Sequence, residues 1–230
     1  MPRRLTMFVV LIFLAAAGHA QTSHSSFSIG PRLSSYSTDI DSDFTSLKTG
    51  RQTAFGLVGD YRTGHFVLDF QWDHDPSNGI HLTDLLVTDD YDRDRGEVTI
   101  GYAISPLLDL EGGFRTETIS LGSVAFFGTD FFDHQAITAG IHLHSDLRQP
   151  VRFHFKARGY FGSAKIDNQF DARRESDTNG WRAEGAVEIR IGESKWSAMP
   201  GIEYEKIDAN DAGLRLNTNR FFVNVVYRTR

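Results

Sequence analysis

The sequence predicts an all-β chain, closed into one antiparallel up-and-down barrel of about ten strands that crosses a membrane. Three observations predict it. Apolar and polar residues alternate with a period of two from residue 26 to the end, the mark of strands with one apolar and one polar face. The polar row is heavily charged. Aromatic residues gather where the alternating runs end.

The clearest unit is 134–161, HQAITAGIHLHSDLRQPVRFHFKARGYF. Ile137, Ala139, Ile141 and Leu143 form one apolar row; Val151, Phe153, Phe155, Ala157, Gly159 and Phe161 form another. Between them fall His134, Thr138, His142 and His144, then Arg152, His154, Lys156, Arg158 and Tyr160. Two such runs joined by SDLRQP predict a hairpin.

The other strands follow the same rule. Phe27, Ile29 and Leu33 mark the first (26–37), and Phe55, Leu57, Gly59 and Tyr61 the second (52–62). After an RTG turn, Phe66, Leu68, Phe70 and Trp72 give the third (65–74). Val98, Ile100, Tyr102 and Ile104 give the fourth (95–104), and Leu108, Leu110, Gly112 and Phe114 the fifth (107–118). The hairpin supplies the sixth and seventh. Trp181 to Ile191 is the eighth, Trp196 to Tyr204 the ninth, and Phe221 to Tyr227 the tenth. Pro200 lacks a donor for the ladder and predicts a local break there. Eight strands with accessory hairpins are the alternative.

Short connections near 62–64, 105–106, 145–149 and 192–194 alternate with long polar ones near 38–51, 75–94, 119–131, 163–179 and 208–219. Short turns on one rim and long loops on the other suit a membrane barrel. A soluble barrel would also alternate, with its apolar row turned inward. Here the other row carries Asp69, Asp109, Glu111, Arg115, Arg152, Lys156, Arg158, Arg182, Glu184, Glu188, Arg190, Glu203 and Glu205. Small neighbours such as Thr99, Gly101, Ala103 and Gly140 leave these side chains room in a crowded lumen. Trp72, Phe131, Phe161, Trp181, Tyr204 and Phe221 fall beside the long loops, and Tyr61, Phe66, Trp196 and Tyr227 toward the other rim. Two aromatic girdles are an interface feature of membrane proteins.

The amino terminus reads as an export signal over 1–20. Arg3 and Arg4 precede the short apolar run 7–17, and Gly18 and Ala20 set a cleavage point before Gln21. That leaves 21–230 as one domain. The net charge is −6 and cysteine is absent, so neither nucleic acid nor disulfides are expected to figure.

These residues resemble an outer-membrane β-barrel protein of Gram-negative bacteria, from Phe27 to Tyr227. The aromatic close, FFVNVVYRTR, is similar to the carboxy-terminal insertion signal of such proteins, although three residues follow Tyr227. The resemblance implies outer-membrane localisation, with the lipid bilayer and lipopolysaccharide as neighbours and outer loops free to meet proteins or ligands. Among ten-stranded barrels it extends to opacity-type adhesins and omptin proteases.

The charged lumen is the strongest chemical feature. Paired charges would fill it as a plug that fixes the barrel's shape, because unpaired buried charges are costly; a narrow solute pore is the rival reading. His142 and His154 belong to that row, and a network role is expected of them in preference to metal binding. His144-Ser145 superficially resembles the histidine–serine pair of lipid A deacylases, but adjacent residues face opposite ways. Asp73, His74, Asp133 and His134, with Asp75, are the catalytic candidates that the resemblance implies, because omptins place Asp–Asp and Asp–His pairs at the outer rim. The run 89–96 has alternate acids without the spacing of a calcium loop. The aromatic run 119–131 is expected to extend strands above the membrane and pack on itself. The reading is a structural or surface-interaction protein, more in keeping with a non-enzyme, with no cofactor and no metal.

Overall fold

The computed structural model describes residues 25–42, 46–75, 80–81, 88–89, 91–121, 132–145, 149–168 and 171–229. The ten wall strands are β1 (Ser26–Asp41), β2 (Gln52–Thr63), β3 (Phe66–Asp75), β4 (Tyr91–Ser105), β5 (Leu108–Leu121), β6 (Phe132–His144), β7 (Val151–Asn168), β8 (Asp171–Arg190), β9 (Trp196–Ala209) and β10 (Leu214–Thr229). Each pairs antiparallel with the next, and β10 pairs with β1 from Phe27↔Thr229 to Asp41↔Arg215. Ten strands therefore close the barrel, not eight, and closure leaves the wall without a free edge. Outside the wall, Ser46–Lys48 folds back on the end of β1, and Ile80–His81 pairs with Thr88–Asp89.

The short turns share one rim, which also holds the outer ends of the β1–β10 seam. Gly64 (φ 58°) and Gly192 (φ 59°) adopt the left-handed conformation that reversal in so few residues demands. The two prolines inside strands interrupt the ladder. On β9, pairing with β8 skips from Ala186↔Gly201 to Ile189↔Ala198 at Pro200, while pairing with β10 runs through unbroken. On β1, pairing with β10 skips from Ile29↔Tyr227 to Arg32↔Asn224 across Gly30 and Pro31. There the β10 backbone comes so close that a Cβ on Gly30 would lie 1.8 Å from the Val225 carbonyl oxygen.

Through the belt of the barrel, apolar residues face outward and charges inward. Ile137 and Phe161 are each 67% exposed and Ile202 66%, whereas Arg115 and Asp109 are 0% exposed. A water-soluble barrel cannot do this, because the hydrophobic effect would drive those side chains from water. The belt spans Val151 to Phe161 on β7, in line with the 9–11 residues a tilted strand needs to cross. Trp181 packs on Tyr204 at one margin (ring centroids 5.1 Å apart) and Trp196 on Tyr227 at the other (5.2 Å). Ile202 lies level with Gly185 and Phe155, midway along the belt. Ile202→Arg is therefore expected to cost about 2–4 kcal/mol, read as a lower urea midpoint in lipid vesicles, whereas Gln135→Arg, outward above the belt, should leave the midpoint unchanged.

Toward the long-loop rim the pattern inverts. Outward positions become Ser35, Ser37, Asp39, Asp94, Thr118, Asp133, Gln135, Ser163 and Lys165. Inward positions become Tyr36, Ile40, Ile119, Phe132, Ala136, Tyr160, Ala164, Ile166, Ile207, Leu214 and Leu216, a buried apolar cluster inside the wall. Above the lipid, the barrel is built like a soluble protein.

This extension corrects the loop boundaries. The segments 38–51, 75–94, 163–179 and 208–219 are not loops throughout: β1 runs to Asp41, β4 begins at Tyr91, β7 reaches Asn168, β8 resumes at Asp171, and β10 starts at Leu214 after a 3-10 turn (Asn210–Ala212). The physical reason is that strands leaving the membrane lose the apolar outer row by which they were recognised. In the run 119–131, β5 continues to Leu121; residues 122–131, with Phe131 of the outer girdle, lie outside the described residues, as does the export signal.

Candidate functional site

The inward charges of the belt converge on a continuous network. Asp73 of β3 is held by Arg32 (3.3 Å), Arg95 (2.7 Å) and Arg220 (2.9 Å), and Gln71 donates to it at 2.7 Å. Glu203 of β9 meets Arg95 (2.5 Å), Arg32 (3.1 Å) and Arg220 (3.5 Å). Toward the long-loop rim, Glu205 and Glu117 share Arg93 and Arg115. Across the lumen, Arg158 binds Glu111 (2.5 Å) and Glu97 (2.7 Å), and Arg182 binds Glu97 (2.8 Å). Lys156 closes on Asp69 at 2.5 Å, and Glu184 lies 4.0 Å from Arg32.

Aromatic faces cover the guanidinium groups. Arg32 sits 3.8 Å from the Phe222 ring centre, Arg115 4.6 Å from Tyr160, and Arg220 4.8 Å from Tyr36. Planar guanidinium groups suit both jobs, bidentate pairing and stacking. Tyr36 and Tyr160 also belong to the apolar cluster above, so the network is roofed by it.

Below the network, at the short-turn mouth, three imidazoles gather. The His142 ring centre lies 5.1 Å from that of His144 and 5.4 Å from that of His154. His142 Nε2 faces His154 Nδ1 at 3.1 Å, and His154 Nε2 faces Glu188 Oε2 at 3.2 Å. Glu188 also binds Arg152 and Arg228, each at 3.3 Å. Arg62 donates to Asp109 at 2.7 Å. A cavity lined by Asp60, Arg62, His142, His154, Lys156, Glu188 and Arg228 lies beside this cluster.

The catalytic candidates do not converge. Asp73 points inward and is held by three arginines and Gln71. His74, its neighbour, points outward, stacks on Trp72 (5.9 Å) and pairs with Asp94 at 2.9 Å. His134 is buried against Thr178 (3.1 Å) while Asp133 faces outward. Asp75 accepts from the Tyr36 hydroxyl at 2.5 Å. Ser145 Oγ is spent on the Phe153 amide (2.9 Å) and forms no pair with His144. The run 89–96 is no calcium loop either, because from Tyr91 onward it is strand, with Asp92 and Asp94 outward and Arg93 and Arg95 inward. Partial burial, and then the Asp94 charge, hold the Asp92 carboxyl above its usual range.

All of Asp69, Asp109, Glu111, Arg115, His142, Arg152, His154, Lys156, Arg158, Arg182, Glu184, Glu188, Arg190, Glu203 and Glu205 lie in inward rows. Sequence reasoning missed Arg32, Arg62, Arg93, Arg95, Glu97, Glu117 and Arg220. The signal for Arg93 was present as strict alternation in DYDRDRGEV, but before Val98 both rows are polar; Arg95 and Glu97 lie on the polar face of the strand already read over 95–104.

No protein-family model matches the chain, and no curated protein matches it in sequence. Solved structures do. The translocator domain of the autotransporter NalP from Neisseria meningitidis superimposes with a TM-score of 0.51 at 12% identity, over 98% of this chain and 96% of that one. Neisserial surface protein A is similar at a TM-score of 0.45 and 12% identity, over 89% and 99% of the two chains. Ail, the attachment invasion locus protein of Yersinia pestis in complex with sucrose octasulfate, reaches 0.39 at 12% identity, over 90% and 100%. The NalP likeness is one of fold: an outer-membrane β-barrel.

Proposed function

We propose that this chain, an outer-membrane β-barrel, is a closed barrel whose work is done at its outer surface. The observation that carries the reading is the double closure of the lumen. Paired charges fill the belt, and the apolar cluster around Phe132, Ile119 and Leu216 fills the space above them. Neither layer resembles an open polar conduit, since in the first the charges are tied to one another across the lumen and the second is lined mainly by apolar side chains. What remains available is the β-extension beyond the lipid, with its polar outward rows. On this reading Lys165, outward and exposed on β7, meets lipopolysaccharide phosphates, and the extension is the platform for protein or ligand contacts.

The small-solute pore is the rival, and conductance decides between them. In planar lipid bilayers the closed barrel is expected to give no discrete current steps under either polarity. Reproducible steps from the purified protein, lost on heat denaturation, would overturn it. The reading of a rim protease or lipid hydrolase has no such support, because Asp73 and His74 lie on opposite faces of the wall and Asp133 and His134 likewise.

A further inference from the structure

We infer that the short-turn mouth of the lumen is a binding site for a divalent transition metal of the zinc class, with Asp109, Glu111 and His142 as ligands and His144 as a fourth donor. The first ground is geometry. Zinc–nitrogen and zinc–oxygen bonds near 2.0–2.2 Å place neighbouring ligand atoms of a tetrahedron about 3.3–3.5 Å apart. His142 Nδ1 lies 3.5 Å from Asp109 Oδ2 and 3.6 Å from Glu111 Oε1, and His144 Nε2 lies 3.5 Å from the same Asp109 oxygen. These separations are long for hydrogen bonds and right for the edges of a coordination shell. Asp109, Glu111 and His142 are all buried, and their donor atoms fall within 4.8 Å of one another.

The second ground is unspent ligand capacity. Glu111 gives Oε2 to Arg158 at 2.5 Å, which fixes the carboxylate, while its buried Oε1 has no hydrogen-bond partner. Asp109 Oδ1 is likewise buried without one. Other lumen atoms are also buried without a hydrogen-bond partner, but these two oxygens belong to carboxylates that converge with His142 on one point, and such oxygens are available to an ion.

The third ground is the histidine relay. Glu188 accepts, so His154 carries its proton on Nε2 and offers a lone pair at Nδ1 to the His142 Nε2 proton. His142 is then left with a lone pair at Nδ1, facing two carboxylates. Three acceptors pointing at one another call for a cation among them, which a metal or the Arg62 guanidinium can supply. A carboxylate behind a chain of imidazoles is also how proteins orient metal-binding histidines.

Arg62 is the resident cation of this site. Its Nη2 reaches Asp109 Oδ2 at 2.7 Å and His142 Nδ1 at 3.4 Å, and its Nη1 reaches His144 Nε2 at 3.4 Å. It enters from the last turn of β2 with its side chain 14% exposed, so it can swing out into the short-turn solvent. Metal and arginine therefore compete. Mixed nitrogen and oxygen donors favour zinc and its neighbours over magnesium or calcium.

The test uses the full-length protein folded in detergent micelles, stripped with a chelator and titrated with Zn²⁺ alone by calorimetry. One zinc per chain is expected. Asp109→Asn and His142→Gln should each weaken binding about tenfold or more, the scale seen even for supporting residues of metal sites. Arg62→Gln should tighten binding, because the competitor is gone, and it keeps the test decisive if either ligand variant fails to fold. His74→Ala controls for the outward cluster of His74, Asp92 and Asp94 and should change nothing. Co²⁺ should give the intense visible absorption of a four-coordinate site. The inference fails if the native protein binds no zinc, if Arg62→Gln weakens binding, or if zinc is lost with His74→Ala and kept by His142→Gln.

Discussion

Glu203→Ala is expected to destabilise the barrel by about 3–5 kcal/mol, the cost of removing one partner from a buried ion pair. The magnitude follows from what the carboxylate leaves behind. Arg95, Arg32 and Arg220 lie within 3.5 Å of it, and Arg182 is at 4.0 Å. With Glu203 gone, Asp73 is the main acid left to Arg32, Arg95 and Arg220, with Glu205 3.6 Å from Arg95 and Glu184 4.0 Å from Arg32, and the side chains of Asp73 and the three arginines are no more than 2% exposed. Buried guanidinium groups cannot shed their protons to relieve the repulsion. Glu184→Ala, at an acid whose one ion pair among the described residues is 4.0 Å from Arg32, should cost clearly less. Reversible urea unfolding in lipid vesicles measures both. Equal midpoints for Glu203→Ala and the native protein would mean that water already fills the lumen, and the closed reading would fall with the prediction.

Phe132→Ala is expected to cost about 3–5 kcal/mol, as for a large core side chain that leaves a cavity. Phe132 heads β6 above the lipid belt, is fully buried, and belongs to the inner apolar cluster. Its neighbour Asp133 faces outward on the same strand. If the wall kept its membrane pattern to the top, Phe132 would be in lipid or water, and its loss would scarcely register. The same unfolding experiment distinguishes the two, with Asp133→Ala as the outward control expected to stay within about 0.5 kcal/mol.

How much of this was legible in the sequence depended on height above the membrane. In the belt, Ile137, Ile141, Phe153 and Phe155 advertise the outer face, so strand count, facing and most lumen charges could be read. Beyond it, the same alternation continues with the code reversed: Phe132 and Ile166 turn inward, while Asp133 and Lys165 turn out. Segments there look like loops until the wall is assembled. The mouth cluster was half visible. His142 and His144 share a strand face by spacing alone, but Asp109 and Glu111 reach them only through β5–β6 pairing, Asp109↔His142 and Glu111↔Gly140. Arg62 comes from the far end of β2 and carries no local sign of its destination. The separation of Asp73 from His74 follows from period two, and it weighs against a rim site built from neighbours in sequence.

The two prolines have a mechanical consequence. Pro200 interrupts the ladder on one flank of the β9–β10 hairpin, and Gly30-Pro31 interrupts it on the other. Both gaps fall in the half nearer the short turns, while pairing between β9 and β10 themselves is unbroken. The hairpin is thus a stave with fewer pegs along its lower edges. Under a sideways load the wall parts along those seams first, and the charge-laced middle and the apolar top hold as one piece.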